Sequence, residues 1–120
     1  REGYSLKQYL RSVVASSFIL PHQLDWLHFG YASMGLDCEF VGKAIGAKVA
    51  VSLRGYDVAV KPILNKDCYH LLWKNVDKIH TISDDLLNLA YAEGLSKSIE
   101  VEKITPAIKT IEFTERKDYR

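Results

Sequence analysis

Polar side chains and glycines gather at four points of this 120-residue sequence, each directly after a short apolar run. The four points are residues 28–33, 54–57, 83–84 and 105–106. If the apolar runs are parallel strands, their carboxyl ends lie along one edge of a sheet. Ligands of open α/β sheets bind beyond that edge, so the chemistry of this chain is expected there.

The segment Arg54-Gly55-Tyr56-Asp57 is the densest polar group in the chain. A guanidinium followed by a glycine can present its forked donors to a phosphate or a carboxylate. Asp57 can accept hydrogen bonds from sugar hydroxyls or orient Arg54, and it is the one candidate for a catalytic role. Spacing alone also fits a loop salt bridge that binds no ligand, so both interpretations stay open.

His28 stands at the end of the apolar run 26–29, before Gly30 and Tyr31. Histidine suits proton transfer or hydrogen bonding near neutral pH, and the glycine after it allows a turn. The alternative is a strand histidine whose ring bonds a backbone carbonyl. Both interpretations place this segment at the edge where a ligand is expected.

No metal site is predicted, because none of the histidines pairs with a cysteine or an acid at ligand spacing. The histidines other than His28, namely His22, His70 and His80, are interpreted as structural or exposed. Cys38 and Cys68 are far apart, and both fall on the apolar sides of predicted helices. They are expected to be buried reduced thiols of a cytosolic protein rather than a disulfide.

Composition and motifs argue against several classes of function. The net charge of +1 provides no large field that would favour nucleic acid or acidic lipid. No apolar run approaches the ~20 residues of a membrane-spanning helix. The sequence carries no Walker loop, no Gly-x-Gly-x-x-Gly run and no Gly-x-Ser-x-Gly elbow. These absences argue against P-loop NTPases, dinucleotide-binding enzymes of the usual Rossmann type and α/β-hydrolases.

Hydrophobic spacing predicts alternating strands and helices. The predicted strands are residues 26–29, 48–54, 78–82 and 99–104. The predicted helices are residues 5–16, the stretch from Met34 to Ile45, residues 65–75, and the stretch between Ser83 and Gly94. Residues 56–64 are predicted to form a loop.

Local motifs mark the ends of the first and last helices. Ser5 and Gln8 have the spacing of a capping box. Ser83 is the expected cap of the last helix, because two aspartates follow it in the first turn, where the helix dipole favours negative charge. The residues of that helix expected to face inward are Leu86, Leu89 and Ala90.

One helix between each pair of strands makes repeated βαβ units. Near-continuous apolar strands fit a parallel sheet that is covered on both faces. The predicted fold is therefore α/β, an open parallel sheet of about four strands with helices on both faces, or part of a Rossmann-like domain.

The chain is interpreted as a piece of a longer protein, because it begins at Arg1 without a methionine and closes on a polar stretch, residues 114–120. Residues 1–24 contain no convincing strand, so the edge of the first predicted strand is expected to be uncovered. An uncovered sheet edge favours pairing with another chain, which makes self-association through this edge a candidate property.

Four segments resemble motifs of the group 1 (family 4) retaining glycosyltransferases, which have the GT-B fold. The segments are residues 25–30, 49–58, 76–86 and 103–108, with Phe113 beyond. In the first segment, His28 is similar to the second histidine of a D-(I/V)-(I/V)-H-x-H-F-G pattern, and Trp26 replaces the first histidine. Residues 49–58 resemble V-V-(T/S)-x-H-G-x-D-(V/L), with Arg54 in place of the histidine. Four motifs in the family's order are more specific than any one of them.

The resemblance implies the later half of an N-terminal, acceptor-side domain over residues 1–113, with residues 114–120 starting an interdomain segment. Family members transfer a sugar from a nucleotide-sugar donor to an acceptor with retention of anomeric configuration, usually without a bound metal. Their nucleotide site lies mainly in the C-terminal domain, whose motifs this chain lacks. The chain alone is therefore expected to be inactive and to bind no cofactor of its own.

The resemblance also implies a site and partners. The candidate substrate-binding residues are His28, Gly30, Tyr31, Arg54, Gly55, Tyr56, Asp57 and Ser83. The implied partners are a sugar nucleotide and a saccharide or lipid-linked saccharide acceptor in polysaccharide biosynthesis. The expected location is the cytoplasm, with peripheral contact at the inner face of the membrane, and no nucleic acid is expected.

Arg54 is a departure from the family pattern. Arginine stays protonated at ordinary pH and cannot act as a base, so a histidine-specific role does not carry over to this position. The alternative to a transferase is a non-catalytic α/β binding or interaction module that shares only the architecture.

Overall fold

The computed structural model describes residues 5–107 and contains a four-stranded, all-parallel sheet in the order β1-β2-β3-β4. The strands are β1 Trp26–Phe29, β2 Lys48–Ser52, β3 Lys78–Thr81 and β4 Glu100–Lys103. The helices are α1 Leu6–Ser16, a 3₁₀ turn Ala32–Gly35, α2 Val41–Ile45, α3 Gly55–Ala59, α4 Lys61–Leu64, α5 His70–Trp73 and α6 Asp84–Ala92. The predicted α/β class and four-stranded parallel sheet are confirmed.

The hydrophobic core lies against one face of this sheet. Val51 stands between Phe29 and Ile79 in the register, and Ile79 stands opposite Val101. The side chains of Phe29, Val51 and Ile79 are buried in one cluster with Leu72 of α5. Successive side chains of a strand point to opposite faces, so these residues define the covered face.

The opposite face of the sheet is polar and partly open. Lys48 Nζ lies 5.4 Å from the centre of the Trp26 ring, and Lys78 Nζ lies 2.7 Å from Glu100 and 3.4 Å from Glu102. The hydrogen bond between Lys78 and Glu100 raises the pKa of the lysine and lowers that of the carboxylate. Charged residues with cross-strand partners can stay on a face in contact with water.

The helices were expected on both faces, but within residues 5–107 the apolar strand side chains that pack in the core all belong to one face. The strand order explains this. Parallel crossovers are almost always right-handed. When each strand pairs with the next in sequence, crossovers of one hand place all their helices on the same side.

The predicted ends of α1 and α6 are confirmed. Ser5 Oγ accepts a hydrogen bond from the Gln8 amide at 3.3 Å, and Gln8 Oε1 accepts one from the Ser5 amide at 2.8 Å. Ser83 Oγ accepts from the Leu86 amide at 3.3 Å, and Gly94 follows α6 with a positive φ of 93°. These motifs act within a few residues of chain, which is why the sequence reveals them.

Within α6, Ala90 is fully buried and Leu86 packs against the core, as predicted. Leu89 was also expected to face inward, and that prediction is wrong because its side chain is 40% exposed. α6 packs against β3 and α3 with the side that carries Ala90, which leaves Leu89 partly exposed.

The helix predicted between β1 and β2 is interrupted in the structure. The expected helix from Met34 to Ile45 is instead a 3₁₀ turn and the short α2, because Asp37 takes a left-handed φ of 63° between them. Cys38 is buried just after that break rather than on a helix. A left-handed residue cannot continue a right-handed helix.

The expected loop over residues 56–64 is mostly helical, as α3 and α4, with Pro62 in the first turn of α4. Proline is tolerated there because its missing N–H would have no helical partner. The expected helix over 65–75 shortens to α5, since Asp67 has a left-handed φ of 57°. Cys68 is half-buried, and both cysteines are free thiols.

The predicted domain boundary between residues 113 and 114, and Phe113 itself, lie outside the described residues. Within residues 5–107, no helix has the length and apolar character needed to cross a membrane.

The packing of α2 against β2 can be tested at Gly42. A Cβ at this position would collide with Val49 Cγ2 and lie 3.1 Å from the Ala47 carbonyl oxygen. Gly42→Ala is therefore expected to lower the free energy of unfolding by roughly 1–3 kcal/mol, although alanine ordinarily favours a helix. Gly55→Ala is the matched control, because a Cβ there meets nothing within 4 Å. Chemical denaturation that finds Gly42→Ala as stable as the wild type would contradict this packing.

Candidate functional site

The segments that follow β1 and β2 meet at the carboxyl edge of the sheet. The Arg54 guanidinium carbon lies 5.9 Å from the centre of the Tyr31 ring, a cation–π distance. Arg54 is exposed, as is half of the Tyr31 side chain. The two predicted ligand-binding segments are thus joined by a contact that leaves the guanidinium facing water.

Gly30 and Gly55 border this contact. A Cβ at either glycine would meet nothing within 4 Å, so the backbone at both positions is open to an approaching group. Tyr56 follows Gly55 at the start of α3, and its side chain is largely exposed. The edge therefore offers a cation, two aromatic rings and accessible backbone, which suits binding of a phosphate, a carboxylate or a sugar ring.

Asp57 occupies a different place from the rest of its segment. Its side chain is 2% exposed, and its Oδ1 accepts a hydrogen bond from the Ser33 amide at 3.3 Å. Among the ion pairs of residues 5–107, none joins Asp57 to Arg54. The carboxylate therefore supports the turn after β1. The expected orienting of Arg54 has no contact among residues 5–107 to carry it, and the expected bond to sugar hydroxyls stays a prediction.

Within residues 5–107, three buried polar atoms behind this edge have no partner in hydrogen-bonding geometry: Asp57 Oδ2, Tyr69 Oη and Trp73 Nε1. The Tyr69 and Trp73 rings lie 5.1 Å apart between centres. Burial raises the pKa of the Tyr69 hydroxyl, and the negative charge of Asp57 raises it further. Tyr69 is therefore kept neutral, and the Asp57 carboxylate lies in a region with little water.

His28 joins a hydrogen-bonded chain across three neighbouring strands. Its Nε2 lies 2.9 Å from Ser52 Oγ, and Ser52 Oγ lies 2.9 Å from His80 Nδ1. The tautomers of the two rings decide which atom donates in each bond. The expected backbone carbonyl partner of His28 is replaced by a serine hydroxyl, and Ser52 is a site residue that the sequence did not reveal.

Parallel register explains why these three residues meet. His28 pairs with Ala50 and Ser52 pairs with His80, so all three side chains leave the polar face near the carboxyl ends of their strands. The signal available in the sequence was one polar residue in each strand at a position whose side chain points to the same face as the others. To infer that these residues meet, one must know the strand order and register, which the sequence does not state.

Ser83 is held by the fold. Its hydroxyl caps α6, and its carbonyl accepts a hydrogen bond from Thr81 Oγ1 at 2.9 Å. Next to it, Lys103 Nζ bonds both carboxylate oxygens of Asp84, at 3.0 and 2.8 Å. Residues 83–84 and 105–106 therefore follow β3 and β4 at the same edge of the sheet, as expected. Ser83, however, has a structural role.

Within residues 5–107 no group of three or more histidine, cysteine, aspartate or glutamate side chains is arranged to hold a metal ion. Comparisons with protein-family models, with curated proteins and with solved structures find no match to this chain. The candidate site therefore rests on its own geometry.

Asp57→Ala tests the support of the turn after β1. The Ser33 amide loses its acceptor in this variant, so its hydrogen exchange is expected to accelerate about tenfold or more, the range for a bond to a charged group. Asp57→Asn keeps an oxygen acceptor of the same shape and is expected to retain most of the protection. Exchange measured by NMR that is equal in the wild type and Asp57→Ala would show that this bond does not hold the turn.

Proposed function

We propose that this chain is part of the acceptor-side, Rossmann-like domain of a retaining GT-B glycosyltransferase. The proposed reaction transfers a sugar from a nucleotide-sugar donor to a saccharide or lipid-linked saccharide acceptor in polysaccharide biosynthesis. The observation that carries the proposal is the exposed Arg54 guanidinium over Tyr31, at the carboxyl edge of a parallel sheet and beside two open glycines. The order of the four family-like segments along the chain adds to it.

Each group at this edge has a proposed role. The Arg54 guanidinium binds a phosphate or a carboxylate of the substrate through its forked donors. The rings of Tyr31 and Tyr56 provide flat apolar faces for a sugar. Asp57 is a positioning residue in this proposal, because its buried carboxylate contacts the Ser33 amide and not the open edge.

A lipid-linked acceptor is supported by the surface next to this edge. Ile63 and Leu64 of α4 are 82% and 73% exposed, and α4 packs against α3, which carries Tyr56. Lys61 and Lys66 flank the two apolar side chains in sequence. Exposed apolar side chains between lysines favour contact with an anionic membrane surface, which fits a cytoplasmic enzyme at the inner face of a membrane.

A non-catalytic binding or interaction module is the second candidate. This candidate is favoured because two of the predicted site residues, Asp57 and Ser83, already use their side chains in hydrogen bonds that hold local structure. Under the transferase proposal this chain alone is expected to bind without turnover, because the family's nucleotide-binding motifs are absent from its sequence.

Arg54→Ala in the parent protein tests the transferase proposal. Loss of a forked charge-assisted contact is expected to lower kcat/KM by about 10–100-fold. Transfer from a labelled nucleotide sugar would be measured with lipid-linked and with water-soluble saccharide acceptors. Lys43→Ala is the control, because Lys43 is an exposed cation on α2, away from the strand ends that form the site. Transfer that is unchanged by Arg54→Ala, or absent from the wild type, would defeat the proposal.

The location of the donor site is tested with this chain alone. Isothermal titration with UDP is expected to show weak binding or none, since the proposed nucleotide site lies in the other domain. A dissociation constant in the micromolar range would contradict the assignment of this chain to the acceptor side. The Arg54→Ala variant titrated in parallel would show whether any residual binding uses the candidate site.

A further inference from the structure

Helix α1 presents its apolar side to the outside. Its large apolar side chains are all exposed, from 40% at Val13 to 77% at Leu6. These residues are Leu6, Tyr9, Leu10, Val13 and Val14. At 3.6 residues per turn they share one side of the helix, and we call this surface the α1 stripe.

The other side of α1 is the one that contacts the rest of the described structure. Arg11 Nε lies 3.1 Å from Asp37 Oδ2, and Ser16 Oγ lies 3.5 Å from Cys38 Sγ in a buried contact. Ala15 packs against the core. The last turns of the helix therefore direct small residues toward the described core, and the large apolar side chains point away from it, the reverse of what an isolated globular domain requires.

The α1 stripe is large for an uncovered surface. Phe18, just after the helix, extends it with a side chain that is 70% exposed. From these exposed fractions the stripe and Phe18 offer on the order of 700 Å², above the roughly 300–600 Å² of the largest apolar patch on an ordinary monomer. That area is close to the ~800 Å² that each partner contributes to a standard protein interface.

The charges beside the stripe favour a protein over a lipid surface. A helix that lies on a membrane carries several basic residues on its polar side. α1 has only Lys7 and Arg11, and Arg11 is engaged with Asp37. The spacing of Leu6, Leu10 and Val13, four residues and then three, is the spacing by which two helices pack side by side.

We propose that the α1 stripe pairs with the α1 stripe of a second copy of this chain. A two-fold contact requires only one self-complementary patch, and the stripe contains no charged side chain, so two copies cover each other without burying an unpaired charge. Leu10 lies at the middle of the stripe and is placed near the two-fold axis. The pairing uses α1 and leaves the Arg54 edge of the sheet free.

The test is the molar mass of the full 120-residue chain, measured by light scattering and sedimentation velocity across a dilution series. The wild type is expected to sediment as a dimer that dissociates on dilution. The double variant Leu10→Glu/Val14→Glu is expected to weaken the dimer at least about a hundredfold, because a symmetric contact buries each substituted position twice. Circular dichroism of the variant checks that the fold is kept, since both positions are exposed in the monomer.

Asn88→Glu is the matched control, because it adds the same kind of charge to an exposed position of α6. It is expected to leave the dimer unchanged. A wild type that stays monomeric at every concentration overturns the proposal. So does a dimer that survives the double variant, which would place the contact elsewhere, such as the open edge of β1. A monomer that binds vesicles of phosphatidylcholine and phosphatidylglycerol, and loses this binding in the double variant, would assign the stripe to a membrane instead.

Discussion

The order in which the strands pair is the constraint on which the rest of this structure depends. Each strand lies beside the next strand in sequence, and all pairs are parallel. Every connection must therefore cross from the carboxyl end of one strand to the amino end of the next, with the same hand. Within residues 5–107 the helical layer is therefore confined to one face and the other face stays open, while the polar groups after the strands gather at one edge.

The one-sided helical layer determines what the polar residues can do. Asp57 enters that layer with α3, where its carboxylate loses water and holds the Ser33 amide. Arg54 stands one turn earlier, before the helix, and keeps its guanidinium in water over Tyr31. Arg54, which can meet a ligand, and Asp57, which supports the turn, are thus only three positions apart in the sequence.

The open face combines polar side chains that are distant in sequence. His28, Ser52 and His80 each occupy an ordinary position in their own strand, and register alone brings them within hydrogen-bonding distance. Cross-strand ion pairs such as Lys78 with Glu100 occupy the same face. These contacts make the face compatible with water without a second layer of helices.

The sequence by itself determined the features that act over a few residues: the α/β class, the four strands, and the caps made by Ser5 and Ser83. Side-chain period and capping chemistry are local, so they can be read without knowing the fold. Only the tertiary structure decided the one covered face, the burial of Asp57 and the outward apolar side of α1. Each of these depends on which distant residues a segment meets, and hydrophobic spacing shows that a side is apolar without showing what covers it.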